Sequence, residues 1–485
     1  MRVCTAKQMN QADRYAIEVL GISGRQLMFH AAQGIYEEMR QSLDDLTQKK
    51  LVILAGSGNN GGDGYALAGL ACQAGMLVSV IRIDEHNLSP DAHDYAQRLA
   101  DIPLFFYDQE PEACQHKIAE ADIIVDAMYG TGFHGALSGA AAACAALANQ
   151  ASALRLSADL PSGVRCDTGA VDGQAFRAHV TVTFTAYKPC HFLYPSAEYC
   201  GRVSVCDIGI PDRVLQDGTM WVMSPEQIGA LLPSRPRNSH KGTFGRLLVY
   251  CGSAHMTGAA SLCVGAALRS GVGLVEVAGP TSVIRAVAHH HQEPIFTHLA
   301  SFPDAEGKGK TLLLAATRRA QAIACGCGLS LEDGQEDRVC ALIGQSDLPM
   351  VLDADGITVL SRNIDILPRP VGDLVLTPHP REMARLTGKT VEEITADRVG
   401  IASGFAKQYG VTLVLKGANT VVAAPDGRVW FAPAACSGLA KGGSGDVLTG
   451  VLAALLGLNA RMAAAADAED DPRRPLPLRE LLQVG

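Results

Sequence analysis

The stretch Leu51-Val52-Ile53-Leu54-Ala55-Gly56-Ser57-Gly58-Asn59-Asn60-Gly61-Gly62-Asp63-Gly64 decides how the first half of the chain is read. Five consecutive apolar residues form the pattern of a strand buried on both faces, as in a parallel sheet. The run empties into a glycine-dense turn, and a helix is expected over about 65–74. Glycines permit positive φ and close backbone approach, and the helix N-terminus beyond the turn offers free N–H groups and a favourable dipole to an anion. Asn59, Asn60 and Asp63 also put side-chain oxygens into the turn. A cation is therefore an equally good occupant, and a G-x-G-x-x-G dinucleotide turn fits poorly. The competing reading is an ordinary Asn/Asp/Gly turn.

Outward from this point the same grammar repeats. Strands are expected at 77–83, 123–126, 156–159, 180–184 and 203–207, with a helix at 91–100 and helical spacing upstream through Met9, Ala12, Ala16 and 27–39. Strand and helix in alternation argue a parallel sheet covered on both faces. Two further strand ends carry carboxylates and glycine: Asp126-Ala-Met-Tyr-Gly130-Thr131-Gly132, and Ser157-Ala-Asp159-Leu-Pro-Ser162-Gly163. In a doubly wound sheet these carboxyl ends border one crevice, so the three loops can converge.

A connection between domains is expected over 211–238, where Pro211, Pro225, Pro233 and Pro236 interrupt any sustained pattern. A second cycle opens with the strand Arg246-Leu-Leu-Val-Tyr250, preceded by His240-Lys-Gly-Thr-Phe-Gly245 and followed by Cys251-Gly-Ser253. Downstream stand Asp353-Ala-Asp355-Gly356, His379 between two prolines, Lys416-Gly417-Ala418-Asn419-Thr420, and Lys441-Gly-Gly-Ser-Gly445-Asp446 entering an apolar helix. That last turn can hold phosphoryl oxygens on backbone N–H groups while Asp446 takes a proton from a hydroxyl; the competing reading is a helix cap. His289-His290-His291 reads as a polar helix face, since adjacent residues do not converge on a metal.

Composition bounds the rest. The chain has 485 residues, 48% apolar and 19% charged, enough for two or three ordered domains. Forty-one Lys+Arg against fifty Asp+Glu give a net charge of −9, which speaks against nucleic-acid partners or an anionic membrane surface. Fourteen cysteines without a CxxC pair, no apolar signal core and no apolar run of the ~18 residues a membrane span needs point to reduced thiols in a cytoplasm.

These motifs carry a resemblance. Residues 1–215 resemble the NAD(P)H-hydrate epimerase domain through N-N-G-G-D-G, D-A-x-x-G-T-G and D-x-P-S-G, with Ala186-Tyr-Lys188-Pro189 and Asp207-Ile-Gly-Ile-Pro211 in addition. Residues 216–485 resemble the ADP-dependent NAD(P)H-hydrate dehydratase domain through H-K-G-T-F-G, S-x-x-M-T-G-A, D-A-D-G, T-P-H-P-x-E, K-G-A-N-T and G-G-S-G-D. The resemblance implies an N-terminal Rossmann-like three-layer αβα domain and a C-terminal ribokinase-like α/β domain. It implies that Asn59, Asn60, Gly61, Gly62 and Asp63, with Gly130, Thr131, Gly132, Phe133, His134, Gly135 and Ala136, hold the hydrated cofactor. Asp159 would sit at the nicotinamide ring as the catalytic carboxylate, and Asn60, Asp126 and Ser162 would bind K+. In the second domain Ala259, Gly328, His379 and Asp446 would contact the hydrate, with Asp446 as general base. Lys416, Gly417, Ala418, Asn419, Thr420 and Gly445 would contact the adenine nucleotide, with ADP as co-substrate and Mg2+ on its phosphates. The implied activity interconverts the R and S hydrates of NADH and NADPH (NADHX and NADPHX) and dehydrates the S form to NAD(P)H, AMP and phosphate. A homo-oligomer is expected. The other readings are a ribokinase-like small-molecule kinase, an epimerase with an impaired second domain, and a non-catalytic scaffold.

The sequence departs from the family in three places. Its G-P-G-L-G stretch reads Gly326-Cys327-Gly328-Leu329-Ser330, and His255 stands where many relatives carry a small or different residue. After Gly457 the chain runs to Pro477 and a short end without the family's His-Gly-x-Ala segment, so an incompletely walled nucleotide pocket is expected.

Overall fold

The computed structural model describes residues 1–99, 101–216, 218–232, 235–299, 307–332, 334–367, 373–433 and 435–469, the stretch 463–469 as backbone only. The chain divides into two compact units, Met1–Trp221 and Val222–Gly485. The first unit contains β1 (Arg2–Val3), β2 (Lys50–Ala55), β3 (Leu77–Arg82), β4 (Leu104–Phe106), β5 (Ile123–Ala127), β6 (Leu154–Ala158), β7 (Val180–Phe184) and β8 (Arg202–Cys206), with β9 (Met220–Val222) at its end. Strands β4-β3-β2-β5-β6-β7-β8 form one parallel sheet in that order.

The order reverses at β2, which pairs with β3 on one side and β5 on the other. The period-2 pattern of a strand then divides the apolar run between two cores. Leu51, Ile53 and Ala55 face helices Gly24–Ser42 and Asn59–Gln73, whereas Val52 and Leu54 face helices Pro111–Ala119 and Gly139–Gln150. This gives a three-layer αβα unit.

The structure corrects three expectations from the sequence. The helix expected from about 65 begins at Asn59. Three glycines at 61, 62 and 64 cost a helix roughly 1 kcal/mol each relative to alanine, so local propensity favours a loop. Packing outweighs that preference: a Cβ at Gly62 would stand 2.7 Å from Met28 Sδ, and one at Gly64 2.8 Å from Ala127 Cβ. The glycines let the helix lie against its neighbours. The segment 211–238 is likewise no bare connection. It holds β9, which pairs antiparallel with β1, and helix Pro225–Leu231, capped by Ser224; Pro233 lies outside the described residues. The helix expected at 91–100 spans Pro90–Ala96, with residue 100 outside the described set.

The second unit contains β10 (Arg246–Tyr250), β11 (Leu274–Gly279), β12 (Ile295–His298), β13 (Ala322–Cys325), β14 (Met350–Leu352), β15 (Leu374–Leu376), β16 (Thr412–Leu415), β17 (Val421–Ala423) and β18 (Val429–Phe431). Their order is β18-β17-β16-β15-β14-β13-β10-β11-β12, parallel from β16 to β12 and antiparallel at β17 and β18. Helix Ser444–Glu469 packs on helix Thr257–Arg269, and a Cβ at Gly450 would stand 2.9 Å from Ala266 Cβ, so glycine sets this approach. Arg461 Nε donates to Gly242 O at 3.1 Å, fastening the helix beyond Gly457 to the loop at 241–245. The end of the chain at 470–485, including Pro477, lies outside the described residues.

Candidate active sites

In the first unit the parallel register sets Leu54 opposite Asp126, and Asp126 opposite Ser157, so the loops after β2, β5 and β6 meet at one edge. Asp126 is fully buried. Ser162 N donates to its Oδ2 at 2.7 Å, Ser162 Oγ donates to Oδ1 at 2.6 Å, and Met128 N donates at 3.1 Å. Burial pushes Asp126 up to about 6 despite these donors. Asn60 lies beside Gly130, and its buried Nδ2 has no partner among the described residues. Amide orientation is assigned by hydrogen bonding; turned over, Asn60 would present an oxygen there. A buried carboxylate, a serine hydroxyl and an unclaimed amide suit a monovalent cation, which would offset the charge that burial disfavours. The residues fit K+.

Asp159 follows β6 with φ of +67°, a left-handed conformation that a side chain adopts at a cost. Its carboxylate is ion-paired to Lys188, accepts from Thr183 Oγ1 at 3.0 Å and lies 3.4 Å from Phe184 N. Lys188 is 1% exposed and also donates to Thr183 Oγ1 and to Phe184 O at 2.8 and 3.0 Å. His191 Nε2 lies 3.2 Å from Asp159 O, and burial depresses this imidazole to about 3, so it is neutral. Asp63, in the first turns of helix Asn59–Gln73, is raised well above the ordinary carboxylate range by burial and then by Asp159 and Asp13. Acid and base forms can thus coexist here. The loop 130–136 closes by Phe133 N donating to Gly130 O at 3.0 Å, with Phe133 stacked near Tyr129.

In the second unit one polar chain links the strand ends. Lys416, beyond β16, reaches Asp353 Oδ1 at 2.7 Å and Glu382 at 3.9 Å. Glu382 in turn sits 3.5 Å from His379. Asp353 is 2% exposed and accepts from Thr449 Oγ1 at 3.1 Å. A Cβ at Gly445 would stand 3.2 Å from Asp353 and 3.5 Å from Lys416 Nζ, so the glycine keeps the helix entrance open there. His379 caps helix Pro380–Thr387, its Nδ1 accepting from Arg381 N and Glu382 N at 3.1 and 3.3 Å. The rigid T-P-H-P segment is therefore a helix start as well as a site wall.

Asp446 lies in the first turn of helix Ser444–Glu469. Burial raises its carboxyl, a hydrogen bond from Cys327 lowers it, Asp353 raises it and Lys416 lowers it. Gly328, at φ +60°, would place a Cβ 2.8 Å from Ala259, which brings these two together. Buried Ser253 Oγ, Asn419 Oδ1 and Ser444 Oγ have no hydrogen-bond partner among the described residues. Such atoms in a native site await a ligand or water.

The whole chain has close parallels. Residues 24–190 match the family described as YjeF-related protein N-terminus, and residues 247–470 match the family described as NAD(P)H-hydrate dehydratase. The bifunctional NAD(P)H-hydrate repair enzyme of Moorella thermoacetica is 35% identical over 96% of this chain and 90% of its own. That of Escherichia coli K12 is 31% identical over 93% and 84%. The chain belongs to the family of bifunctional NAD(P)H-hydrate repair enzymes. Among solved structures, the Bacillus subtilis ADP/ATP-dependent NAD(P)H-hydrate dehydratase co-crystallised with ATP and Mg2+ is 31% identical over 54% of this chain and 95% of its own, with a TM-score of 0.42.

Within this family setting, sequence reading missed several residues. Asp353 belongs to the D-A-D-G motif, but its contact with Lys416 and Thr449 needs three strand ends to meet. Glu382 and Arg398 are similar: Arg398 is buried and donates to Leu415 O and Lys416 O at 3.0 and 3.3 Å, bracing the loop that begins at Lys416. Asp13 and Lys188 had a single sequence signal between them, the Ala186–Pro189 match. The altered loop at 326–330 is held by contacts of its own. Ser330 adopts φ +67° and donates its N–H to Asp355 at 2.9 Å, while Cys327 fills the proline position and bonds Asp446. The histidine triplet divides: His289 and His290 end helix Thr281–His290, and His291 turns toward Ser261 O at 3.0 Å. Among the described residues no group of three His, Cys, Asp or Glu could hold a metal ion, and no helix is long and apolar enough to cross a membrane.

Proposed function

We infer that this member of the family repairs hydrated NADH and NADPH in two reactions. The first unit interconverts the R and S hydrates at C6; the second dehydrates the S form with ADP. The observation that carries the reading is Asp446, a partly buried carboxylate at a helix entrance that feels both the Asp353 carboxylate and the Lys416 ammonium, which are themselves ion-paired. Asp446 Oδ takes the proton of the C6 hydroxyl as that oxygen attacks the terminal phosphoryl group of ADP, releasing AMP. Phosphate then leaves C6 in place of hydroxide, a poor leaving group, C5 gives up a proton, and the C5–C6 double bond of NAD(P)H returns. Gly445, Lys416, Gly417, Ala418, Asn419 and Thr420 hold the nucleotide; Ala259, Gly328 and His379 wall the hydrate. Mg2+ bound to the nucleotide would screen phosphate charge.

In the first unit Asn59–Asp63 and Gly130–Ala136 hold the hydrate, and Asp159 stands at the ring. Asn60, Asp126 and Ser162 would hold K+, which would supply positive charge to offset the buried carboxylate. The fourteen cysteines are all free, which suits a reducing compartment such as the cytoplasm. Exposed Leu262, Leu439 and Val447 give the second unit apolar surface for a homo-oligomer. NADHX, NADPHX and ADP are the small-molecule partners.

The test supplies each purified epimer with ADP and Mg2+ and follows NADH absorbance. Recovery from both epimers is expected; recovery from neither, with phosphate moved to another alcohol, would identify a small-molecule kinase instead.

A further inference from the structure

Asp159 stands in a backbone conformation that its neighbours must hold. Leu160 N donates to Ala158 O at 2.9 Å across it, and its φ is +67°. An i to i+2 bond around a positive φ is the rare, strained form of the γ-turn. Thr185, at the next strand end, is in the same state, with φ of +65° and Ala186 N donating to Phe184 O at 2.7 Å. Three sets of contacts fix Asp159 within its turn. Its N–H donates to Val182 O at 2.8 Å. Its Oδ1 takes the Lys188 ammonium and the Thr183 hydroxyl, and no donor among the described residues reaches Oδ2. Its carbonyl oxygen meets Nε2 of His191 at 3.2 Å. The other nitrogen of that ring decides its chemistry. Lys188 N lies 3.1 Å from His191 Nδ1, and a backbone N–H can only donate. Nδ1 therefore carries a lone pair, the ring proton sits on Nε2, and the neutral imidazole donates to Asp159 O. His191 is 5% exposed, and Tyr187 stands edge-on to its ring at 6.1 Å. One buried ring thus joins the backbones of Asp159 and Lys188, the two residues whose side chains form the ion pair.

We propose that His191 is a positioning residue of the epimerase site: by tying Asp159 O to Lys188 N it holds the strained turn closed, keeps Oδ1 on the ammonium and leaves Oδ2 as the oxygen that exchanges a proton with the hydrate. The inference rests on the epimerase reading above. His191 lies just past residue 190, where the family match to the first unit ends. Without the ring, Asp159 O is left unpaired in a buried place beside a strained φ. The turn then relaxes and carries the carboxylate away from Lys188. A competing role is purely local, because Nδ1 also caps the short turn Pro189–His191. The two roles use different nitrogens. Capping needs only an acceptor at Nδ1, whereas holding Asp159 needs a donor at Nε2. Asparagine reaches as far as Nδ1 and can supply the acceptor; glutamine reaches as far as Nε2 and can supply the donor.

The test uses the full chain without ADP, so that the second site is idle, and follows exchange between the R and S hydrates of NADH by chromatography. Urea unfolding of the same preparations reports whether each variant is folded. His191→Leu, which keeps neither bond, is expected to lower kcat for exchange at least about tenfold with KM within about twofold of the parent. His191→Gln should retain more of kcat than His191→Asn. A cap alone produces the opposite order, since it favours asparagine. A kcat for His191→Leu within about twofold of the parent overturns the proposal, whether or not KM rises. So does a kcat for His191→Asn that equals or exceeds that of His191→Gln. If leucine unfolds the first unit, the order of glutamine and asparagine decides alone. A parent that exchanges neither epimer, yet converts the S hydrate to NADH with ADP and Mg2+, defeats the epimerase reading itself.

Discussion

As the proposed general base, Asp446 must be ionised to accept a proton, and its surroundings contend over that state. Burial raises the carboxyl while the Cys327 thiol stabilises its charge. Dehydration of the S epimer should therefore lose rate on acidification at a pH above the ordinary carboxylate range. Cys327→Ala should shift that acid limb further upward, because the stabilising donor is gone; an unmoved limb would remove Cys327 from the base's environment. Asp446→Asn should cost S conversion at least about a hundredfold while epimer exchange continues. In the first unit Lys188 is buried in an ion pair with Asp159. Lys188→Met strands a carboxylate inside the protein, and a loss of about 3 kcal/mol in urea unfolding is expected.

At the scale of elements, glycines and left-handed residues decide where backbones meet ligands. Asp159, Thr185, Ser330 and Ala354 all have positive φ, and all four adjoin the two sites. Ser330 stands where the family motif has glycine, so Ser330→Gly should relieve left-handed strain and raise stability by up to about 1 kcal/mol, read as a higher urea midpoint. Gly64→Ala is the opposite case. Its methyl would press on Ala127 and Ile53 at 2.8 and 3.0 Å. A loss of about 1–3 kcal/mol follows, together with slower R conversion as the start of helix Asn59–Gln73 shifts. The same glycines explain the misplaced helix start: counted by propensity they break a helix, and only the neighbouring Met28 and Ala127 reveal why they are inside one.

For the whole molecule, buried carboxylates couple folding to pH and cation. Asp126 is raised in the folded state to about 6 from an ordinary 3.8. Its contribution is fully present below the unfolded value and is lost as pH rises through about 6, since ionising it inside the protein is disfavoured. A cation bound to the ionised form restores that loss. K+ should raise the thermal midpoint of the intact enzyme above pH of about 6 and do little near pH 4, and Asp126→Asn should abolish the K+ effect. A K+ increment that survives in this variant would move the cation site elsewhere.

Some of this was settled by the sequence alone. A five-residue apolar run ending in Gly, Asn and Asp specifies a buried parallel strand and where it ends, because alternation and turn chemistry act locally. The motif order likewise marks two catalytic units. Tertiary structure alone decided which charges neutralise one another. Asp353 with Lys416 and Asp159 with Lys188 are pairs apart in the chain. Their energies depend on burial and distance, which come into being only when separate strand ends close on the same few ångströms of space.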